Sequence, residues 1–182
     1  MAEKDLTIGW IGAGRMGIQL ATRLIEAGYD LAIYNRTKSK LQPLVEMGAR
    51  AVDSPVELAD RDLVFSMVSA SKDLKQVMLG DGGLLTGSVA PKVIADSSTV
   101  SIEASAEIRQ AASEKGAEFL ATPVSGNPAV IAAGKLTVAV SGPRKVYEET
   151  LPVLEVFGRG VTYVGEGEVA RLVKIAHNVF LG

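Results

Sequence analysis

The sequence predicts an α/β fold in which helices cover both faces of a doubly wound, mostly parallel β-sheet. Short β-prone stretches alternate with stretches of helical periodicity, which is the pattern of successive βαβ units. Three helical stretches end in a glycine suited to a left-handed cap, Gly28, Gly48 and Gly116, and a β-prone segment follows each. A glycine-rich turn also follows the first strand, at the sheet edge where such folds bind ligands.

The elements are expected in a regular order. The first strand lies over residues 6–11, and the first helix lies over 15–27, where apolar side chains recur at helical spacing. Further strands are expected over residues 31–34, 49–52, 63–68, 93–95 and 117–120. After a loop over 123–128, the sheet is extended by a strand, a helix and a strand over residues 136–141, 144–157 and 161–164, and a last helix begins at Gly167.

Composition narrows the possible functions. The length of 182 residues suits one domain at about 150 residues each, and 47% hydrophobic residues argue against disorder. The absence of cysteine excludes disulfides, thiolate metal sites and a cysteine nucleophile, and a single histidine argues against a histidine metal cluster, so we expect no metal. The net charge of −2 gives no support for nucleic-acid or anionic-membrane binding. No targeting signal or apolar run of about 20 residues is present, so we expect a cytoplasmic protein.

The glycine-rich turn is the first chemical motif. In a dinucleotide-binding site of this kind, Gly12 permits the tight turn, Gly14 lets the backbone approach a pyrophosphate, and Gly17 lets the helix pack on the strand. The phosphates then lie at the positive end of the helix. The whole motif is Gly12-Ala13-Gly14-Arg15-Met16-Gly17.

The end of the second strand indicates which dinucleotide is bound. A site for NAD usually carries Asp or Glu there to bind the ribose hydroxyls, but this chain has Asn35, Arg36 and Thr37. An uncharged Asn does not repel a 2′-phosphate, Arg36 can bind it through two hydrogen bonds, and Lys40 follows one turn later. We therefore expect NADP rather than NAD. The alternative is a solvated turn with an incidental arginine.

The last helix carries a second group of polar side chains. Arg171, Lys174, His177 and Asn178 share one side, which in an ordinary amphipathic helix would face water. Lys174 has no acidic residue four positions away on either side, and this suits an oxyanion or carbonyl oxygen as its partner. The opposite arc is apolar and consists of Val169, Leu172, Val173, Ile175, Ala176, Val179 and Phe180.

Two polar clusters lie at other strand ends. One reads Asp96-Ser97-Ser98-Thr99 and either contacts a ligand at the carboxyl edge or caps the next helix, with Thr99 or Ser101 as the cap. The other lies over residues 122–127, where Ser125 and neighbouring backbone N–H groups either hold a carboxylate or form an ordinary turn.

Together these motifs resemble the β-hydroxyacid dehydrogenases, a family that includes 3-hydroxyisobutyrate dehydrogenase, tartronate semialdehyde reductase and, more distantly, 6-phosphogluconate dehydrogenase. The resemblance covers essentially the whole chain, in order. It is carried by the glycine turn with its preceding Gly9-Trp10-Ile11, then Asn35-Arg36-Thr37, Asp96-Ser97-Ser98-Thr99, Pro123-Val124-Ser125-Gly126 and Lys174-Ile175-Ala176-His177-Asn178.

The resemblance implies a Rossmann-type fold and NAD(P)-linked interconversion of a small hydroxyacid and its aldehyde or keto acid. It makes Lys174 the general acid/base. It implies that the substrate is bound by Ser125, Gly126, Asn127, Asn178 and Ser98. It implies that the cofactor is bound by the glycine turn and Asn35-Arg36-Thr37, and also by Met67, Val68, Ser69, Asp73, Ser98 and Thr99.

The sequence departs from the family pattern in the last helix and in the substrate loop. The usual Ser-Gly-Gly has Asn127 at its third position, and counting six residues from Gly165 places Arg171 in the lysine position. We prefer Lys174 because Asn178 follows it at the expected i+4. A non-catalytic NADP-binding module, which would not need Lys174, and an imine reductase on the same fold remain as alternatives.

The resemblance also bears on domain organisation. It implies a cofactor-binding domain over residues 1–164 and the start of an interdomain helix over 165–182. Family members continue into an all-helical domain, which we expect to be absent from this chain. We therefore expect exposed apolar side chains on the last helix, poor activity of this chain alone, and a homo-oligomer when the helical domain is present.

Overall fold

Six parallel strands form the centre of the sheet in the computed structural model, which describes residues 6–158 and 160–181. Their order is β3-β2-β1-β4-β5-β6, the doubly wound arrangement of a Rossmann-type domain. The fold class expected from the sequence is therefore confirmed. The strands are β1 (Thr7–Ile11), β2 (Asp30–Tyr34), β3 (Arg50–Ala51), β4 (Leu63–Ser66), β5 (Val93–Asp96) and β6 (Glu118–Ala121).

Beyond β6 the sheet is extended by strands that reverse direction. The strand β8 (Thr137–Ser141) runs antiparallel to β6 and to the short β7 (Val124–Ser125), whereas β9 (Gly160–Gly165) pairs parallel with β8. This is the expected strand–helix–strand extension. The helices are α1 (Arg15–Glu26), α2 (Gln42–Glu46), α3 (Ser71–Leu79), α4 (Ile102–Glu114), α5 (Pro128–Ala132), α6 (Arg144–Leu154) and α7 (Val169–Leu181), with 3₁₀ turns at Lys38–Leu41 and Pro55–Leu58.

Three elements are absent from the sequence expectations. The helix α3 begins in polar residues with little apolar periodicity, and α5 has only five residues, which begin with Pro128 after the cap Asn127. The strand β7 exists because Val124 and Ser125 pair with β8, which lies twelve residues further on, and local sequence does not encode such a pairing. In contrast, Ser101 caps α4 and accepts a hydrogen bond from the backbone N–H of Ala104, as one of the two expected caps.

An aromatic cluster in the core is connected to the glycine turn. Trp10 and Phe65 face each other across the β1–β4 pair, with ring centroids 5.5 Å apart, and Phe157 packs edge-on against both rings. The indole N–H of Trp10 donates to the carbonyl of Gly12 at 2.8 Å. Packing of the core therefore fixes the direction of the backbone where the turn begins.

A buried ion pair attaches α7 to the carboxyl edge of the sheet. Arg171 is 1% exposed, and its guanidinium donates to the Asp96 carboxylate at 2.6 Å and to the carbonyl of Ser98 at 2.6 Å. Asp96, itself fully buried at the end of β5, also accepts hydrogen bonds from the hydroxyls of Ser66 and Ser98. One carboxylate therefore joins β4, β5 and α7.

This contact removes Arg171 from the water-facing side of an ordinary amphipathic helix, whereas His177 and Asn178 on the same side are exposed. Ala170 and Arg171 are buried, while apolar side chains on the opposite arc are exposed, up to 89% for Phe180. The reason is that Arg171 pairs with Asp96, which holds this one polar side chain against the sheet, and Lys174 three residues later is half-buried. Exposed apolar side chains on the last helix are also expected from the sequence, and the structure shows them.

We expect Arg171→Met to lower the stability of the fold strongly, because it leaves the Asp96 carboxylate buried without its charged partner. Breaking a buried pair in this way costs about 3–5 kcal/mol, or a fall in melting temperature of about 6–20 °C for a chain of this size. Thermal unfolding measures the effect. The control is Lys145→Met, which breaks an exposed pair with Glu149 and should cost less than about 1 kcal/mol. Equal melting temperatures for the two variants would contradict the structural role of Arg171.

Candidate functional site

An open cleft of about 770 Å³ lies at the carboxyl ends of β1, β2 and β4. It brings together ten of the residues that the sequence places beside the cofactor: Gly12, Ala13, Gly14, Asn35, Arg36, Thr37, Met67, Val68, Ser69 and Asp73. The other five, Arg15, Met16, Gly17, Ser98 and Thr99, do not line it.

The three glycines of the turn differ in what surrounds them. A Cβ atom on Gly12, whose φ is +106°, would lie 2.1 Å from the carbonyl oxygen of Met67, and one on Gly17 would lie 2.2 Å from that of Gly12. A Cβ on Gly14 would meet nothing within 4 Å. Gly12 and Gly17 are therefore required by the fold, whereas Gly14 leaves open space at the N-terminus of α1.

That helix terminus is suited to an anion. Gly14 is the N-cap of α1 and has no side chain to bond the first N–H groups of the helix. Free N–H groups and the helix dipole together favour phosphate at such a position. The open space above Gly14 thus fits the pyrophosphate of a dinucleotide.

Asn35 joins the glycine turn to the end of β2. Its Oδ1 accepts a hydrogen bond from the backbone N–H of Ala13 at 2.8 Å, and its Nδ2 donates to the carbonyl of Thr37 at 2.8 Å. Sequence reasoning assigned Asn35 only the role of an uncharged neighbour to a 2′-phosphate. In the structure its amide also fixes the glycine turn and the loop after β2 relative to each other.

The end of the cleft between β2 and α3 carries two cations and one carboxylate. Arg36 and Lys40 both line it, and the Arg36 guanidinium lies 3.6 Å from the Asp73 carboxylate at the start of α3. Arg36 is exposed over 86% of its side chain, so it can reorient at little cost. These groups fit a phosphorylated ribose.

Sequence reasoning missed four residues that line the cleft. Ile11 and Tyr34 end β1 and β2, and Gln76 and Val77 follow Asp73 at i+3 and i+4 on α3. Helical spacing from Asp73 would have indicated the last two, had α3 been expected.

A smaller pocket of about 380 Å³ lies between β7, β8 and α7. The Lys174 ammonium donates to the hydroxyl of Ser125 at 3.2 Å, and Thr137, which faces Ser125 across the β7–β8 pair, also lines this pocket. Partial burial lowers the pKa of Lys174 below its usual 10.5. The remaining lining residues are Pro123, Ala139, Val173 and His177.

The other residues assigned to substrate do not line this pocket. Asn127 caps α5, its side chain accepting from the N–H of Val130, and Gly126 has a φ of +151° with no room for a Cβ beside Leu136. Asn178 is exposed on α7. Their roles in substrate binding, and that of Thr99 beside the cofactor, stay predictions.

Ser98, which the sequence places at the ligand-binding edge, makes two hydrogen bonds within the fold. It is fully buried, donates to the Asp96 carboxylate at 2.7 Å and accepts from the backbone N–H of Val68 at 2.9 Å. In the structure it therefore holds the loop after β4, which forms one wall of the cleft. A direct contact with substrate or cofactor stays a prediction.

Comparison with known proteins decides the family. The family model of the NAD binding domain of 6-phosphogluconate dehydrogenase matches residues 7–165. The chain belongs to this family. It carries the NAD(P)-binding Rossmann domain of hydroxyacid dehydrogenases and related oxidoreductases, and the resemblance drawn from its motifs is confirmed.

Relatives and solved structures are similar over nearly the whole chain. Glyoxylate/succinic semialdehyde reductase 2 of Arabidopsis thaliana is 36% identical over 97% of this chain and 50% of its own length. 3-Hydroxyisobutyrate dehydrogenase of Pseudomonas aeruginosa is 32% identical over 96% of this chain and 59% of its own length. A solved structure of Psf3 in complex with NADP+ and 2-OPP has a TM-score of 0.87 at 31% identity, over 94% of this chain and 61% of that one. The chain thus spans 50–61% of the length of these proteins.

Within residues 6–158 and 160–181, the structure contains no helix whose length and apolar character would let it cross a membrane.

The difference between Gly12 and Gly14 leads to a prediction. We expect Gly14→Ala to cost less than about 1 kcal/mol of stability, yet to weaken NADPH and NADH binding alike, because its methyl group occupies the space above the helix terminus. We expect Gly12→Ala to unfold or strongly destabilise the chain. Melting curves and fluorescence titrations with both dinucleotides measure these effects. Unchanged binding by Gly14→Ala would contradict the proposed approach of the pyrophosphate.

The pKa of Lys174 leads to a second prediction. NMR titration of the lysine side chains, with Lys174→Met to assign the signal, should give a pKa below 10.5, because burial disfavours the charged form. A lysine pKa that is lower in the folded than in the unfolded chain opposes folding at low pH. This group should therefore add stability as pH rises from the folded pKa towards 10.5. A value at or above 10.5 would contradict the desolvation of this site.

Proposed function

We propose that the protein is an NADP-dependent oxidoreductase that interconverts a small hydroxyacid with its aldehyde or keto acid, and that Lys174 is its general acid/base. The observation that carries the proposal is the contact between the Lys174 ammonium and the Ser125 hydroxyl, in a pocket at the same sheet edge as the dinucleotide cleft. Family membership supports the reaction class.

The charges at the end of β2 support NADP. Arg36 and Lys40 are the cations among the described residues that line the cleft, and no carboxylate follows β2 where a ribose-binding acid would stand. The guanidinium can form two parallel hydrogen bonds with a 2′-phosphate. The NADP+ complex of a similar solved structure is consistent with this assignment.

The surroundings of Lys174 support a role in proton transfer. Burial lowers its pKa, which raises the fraction of neutral amine available to accept the hydroxyl proton near neutral pH. The Ser125 hydroxyl accepts a hydrogen bond from the Lys174 ammonium in the pocket. A substrate that contacts Lys174 there would therefore also lie beside Ser125. The nicotinamide cofactor, when bound, supplies the hydride acceptor or donor.

The charge of the pocket supports an anionic substrate. Among its described lining residues the ionisable groups are Lys174 and His177, without a carboxylate. Ser125 and the backbone at Gly126 and Asn127 would bind the substrate carboxylate, and Asn178 would orient its hydroxyl. We further propose that α7 begins an interdomain helix after a cofactor-binding unit over residues 1–164, and that the whole protein is a cytoplasmic homo-oligomer.

The cofactor assignment predicts an asymmetric effect of Arg36→Ala. NADPH binding should weaken by about tenfold or more, and NADH binding by less than about twofold, because only NADPH carries the 2′-phosphate. Fluorescence titration at constant salt measures both constants. The control is Lys145→Ala, which removes one charge outside the cleft. Equal losses for the two dinucleotides would contradict the assignment to NADP.

The lysine assignment predicts loss of chemistry without loss of cofactor. Lys174→Ala should lower NADP+ reduction by a panel of short hydroxyacids by about a hundredfold or more, with NADPH affinity within about twofold. Reduction of cyclic imines by NADPH is measured in parallel, because an imine reductase would not need the lysine. Hydroxyacid oxidation that persists in the variant, or imine reduction as the main activity, would overturn the proposal.

A further inference from the structure

The cleft contains one acidic side chain whose position is unexpected for a site that binds an additional phosphate. Asp73 lies in the first turn of α3, opposite the end of β2, and is the only carboxylate among the described residues that line the cleft. Its carboxylate is 3.6 Å from the Arg36 guanidinium, with 24% of its side chain exposed against 86% for Arg36. The more buried partner of this pair is therefore the acid.

The pairing engages the group that a 2′-phosphate would need. In the part of the chain that the structure describes, the ion pair with Asp73 is the contact made by the Arg36 side chain. A phosphate that binds Arg36 must either displace Asp73 or lie within a few ångströms of a second negative charge. Like charges at such a separation disfavour one another, and water screens this repulsion only in part at a partly buried carboxylate.

We infer that Asp73 competes with the 2′-phosphate for Arg36, and that it thereby limits the preference of this chain for NADP over NAD. The inference rests on the proposed dinucleotide site and adds a residue that sets its selectivity. NAD lacks the 2′-phosphate, so Asp73 has no such group to oppose when NAD is bound. Arg36 and Lys40 favour NADP, and Asp73 reduces their effect.

The competition makes an unusual prediction, since a substitution in the cleft should improve binding. Asp73→Asn keeps the shape of the side chain and removes its charge, and it should tighten NADPH binding by about two- to fivefold. NADH affinity should change by less than about twofold. A gain of affinity has the further advantage that partial unfolding cannot produce it.

A matched variant separates this effect from the effect of removing any one negative charge from the protein. Asp53→Asn removes a carboxylate from an exposed ion pair with Lys38, outside the cleft lining. It should leave the ratio of NADPH to NADH affinities unchanged. Titrations of both dinucleotides are repeated at two salt concentrations, because a competition between charges weakens as salt rises.

A double variant tests whether the effect passes through Arg36. In the Arg36→Ala background, Asp73→Asn should tighten NADPH binding by less than about twofold, because the contested guanidinium is absent. A gain equal to that in the unaltered chain would overturn the competition. An unchanged ratio for Asp73→Asn, or weaker NADPH binding, would overturn the inference while leaving the dinucleotide site in place. Failure of the unaltered chain to bind either dinucleotide would overturn the proposed function and this inference together.

Discussion

The carboxylate of Asp96 and the guanidinium of Arg171 form the interaction on which the arrangement of both pockets depends. A buried carboxylate is tolerable only when it is paired and hydrogen-bonded, and Asp96 meets both conditions through Arg171, Ser66 and Ser98. On one side, Arg171 holds α7 against the sheet, and Lys174 follows three residues later above Ser125. On the other side, Ser98, which donates to Asp96, accepts a hydrogen bond from the N–H of Val68 in the wall of the dinucleotide cleft.

The dinucleotide cleft is held open by contacts that do not involve a ligand. Trp10 fixes the carbonyl of Gly12 from the core, and Asn35 bonds the N–H of Ala13 from the end of β2. The N-terminus of α1 is therefore directed into the cleft in the folded chain itself. Such preorganisation reduces the ordering that binding would otherwise require, and this is the physical reason that a rigid Gly-rich turn makes an effective phosphate site.

The groups to which we assign cofactor selectivity contribute little to folding. Arg36 and Asp73 form a pair at the rim, and pairs of this kind add at most about 1 kcal/mol to stability. The charge at the end of the cleft between β2 and α3 can therefore change while the cleft keeps its shape. In contrast, the Arg171–Asp96 pair cannot be altered without consequences for the fold. The same residue types thus serve different purposes according to burial.

The sequence alone determined the features that depend on local spacing. The glycine turn after β1, the glycines that end helices, the cap of α4 and the five ordered motifs predict the fold class, the cofactor end of the site and the family. The tertiary structure decided the features that depend on contacts between distant residues. These are the burial of Arg171, the hydrogen bond from Ser98 to Asp96, the pairing of β7 with β8 and the ion pair of Arg36 with Asp73. The physical reason is that periodicity and turn chemistry act within a few residues, whereas a charge is paired, buried or exposed according to what the folded chain brings beside it.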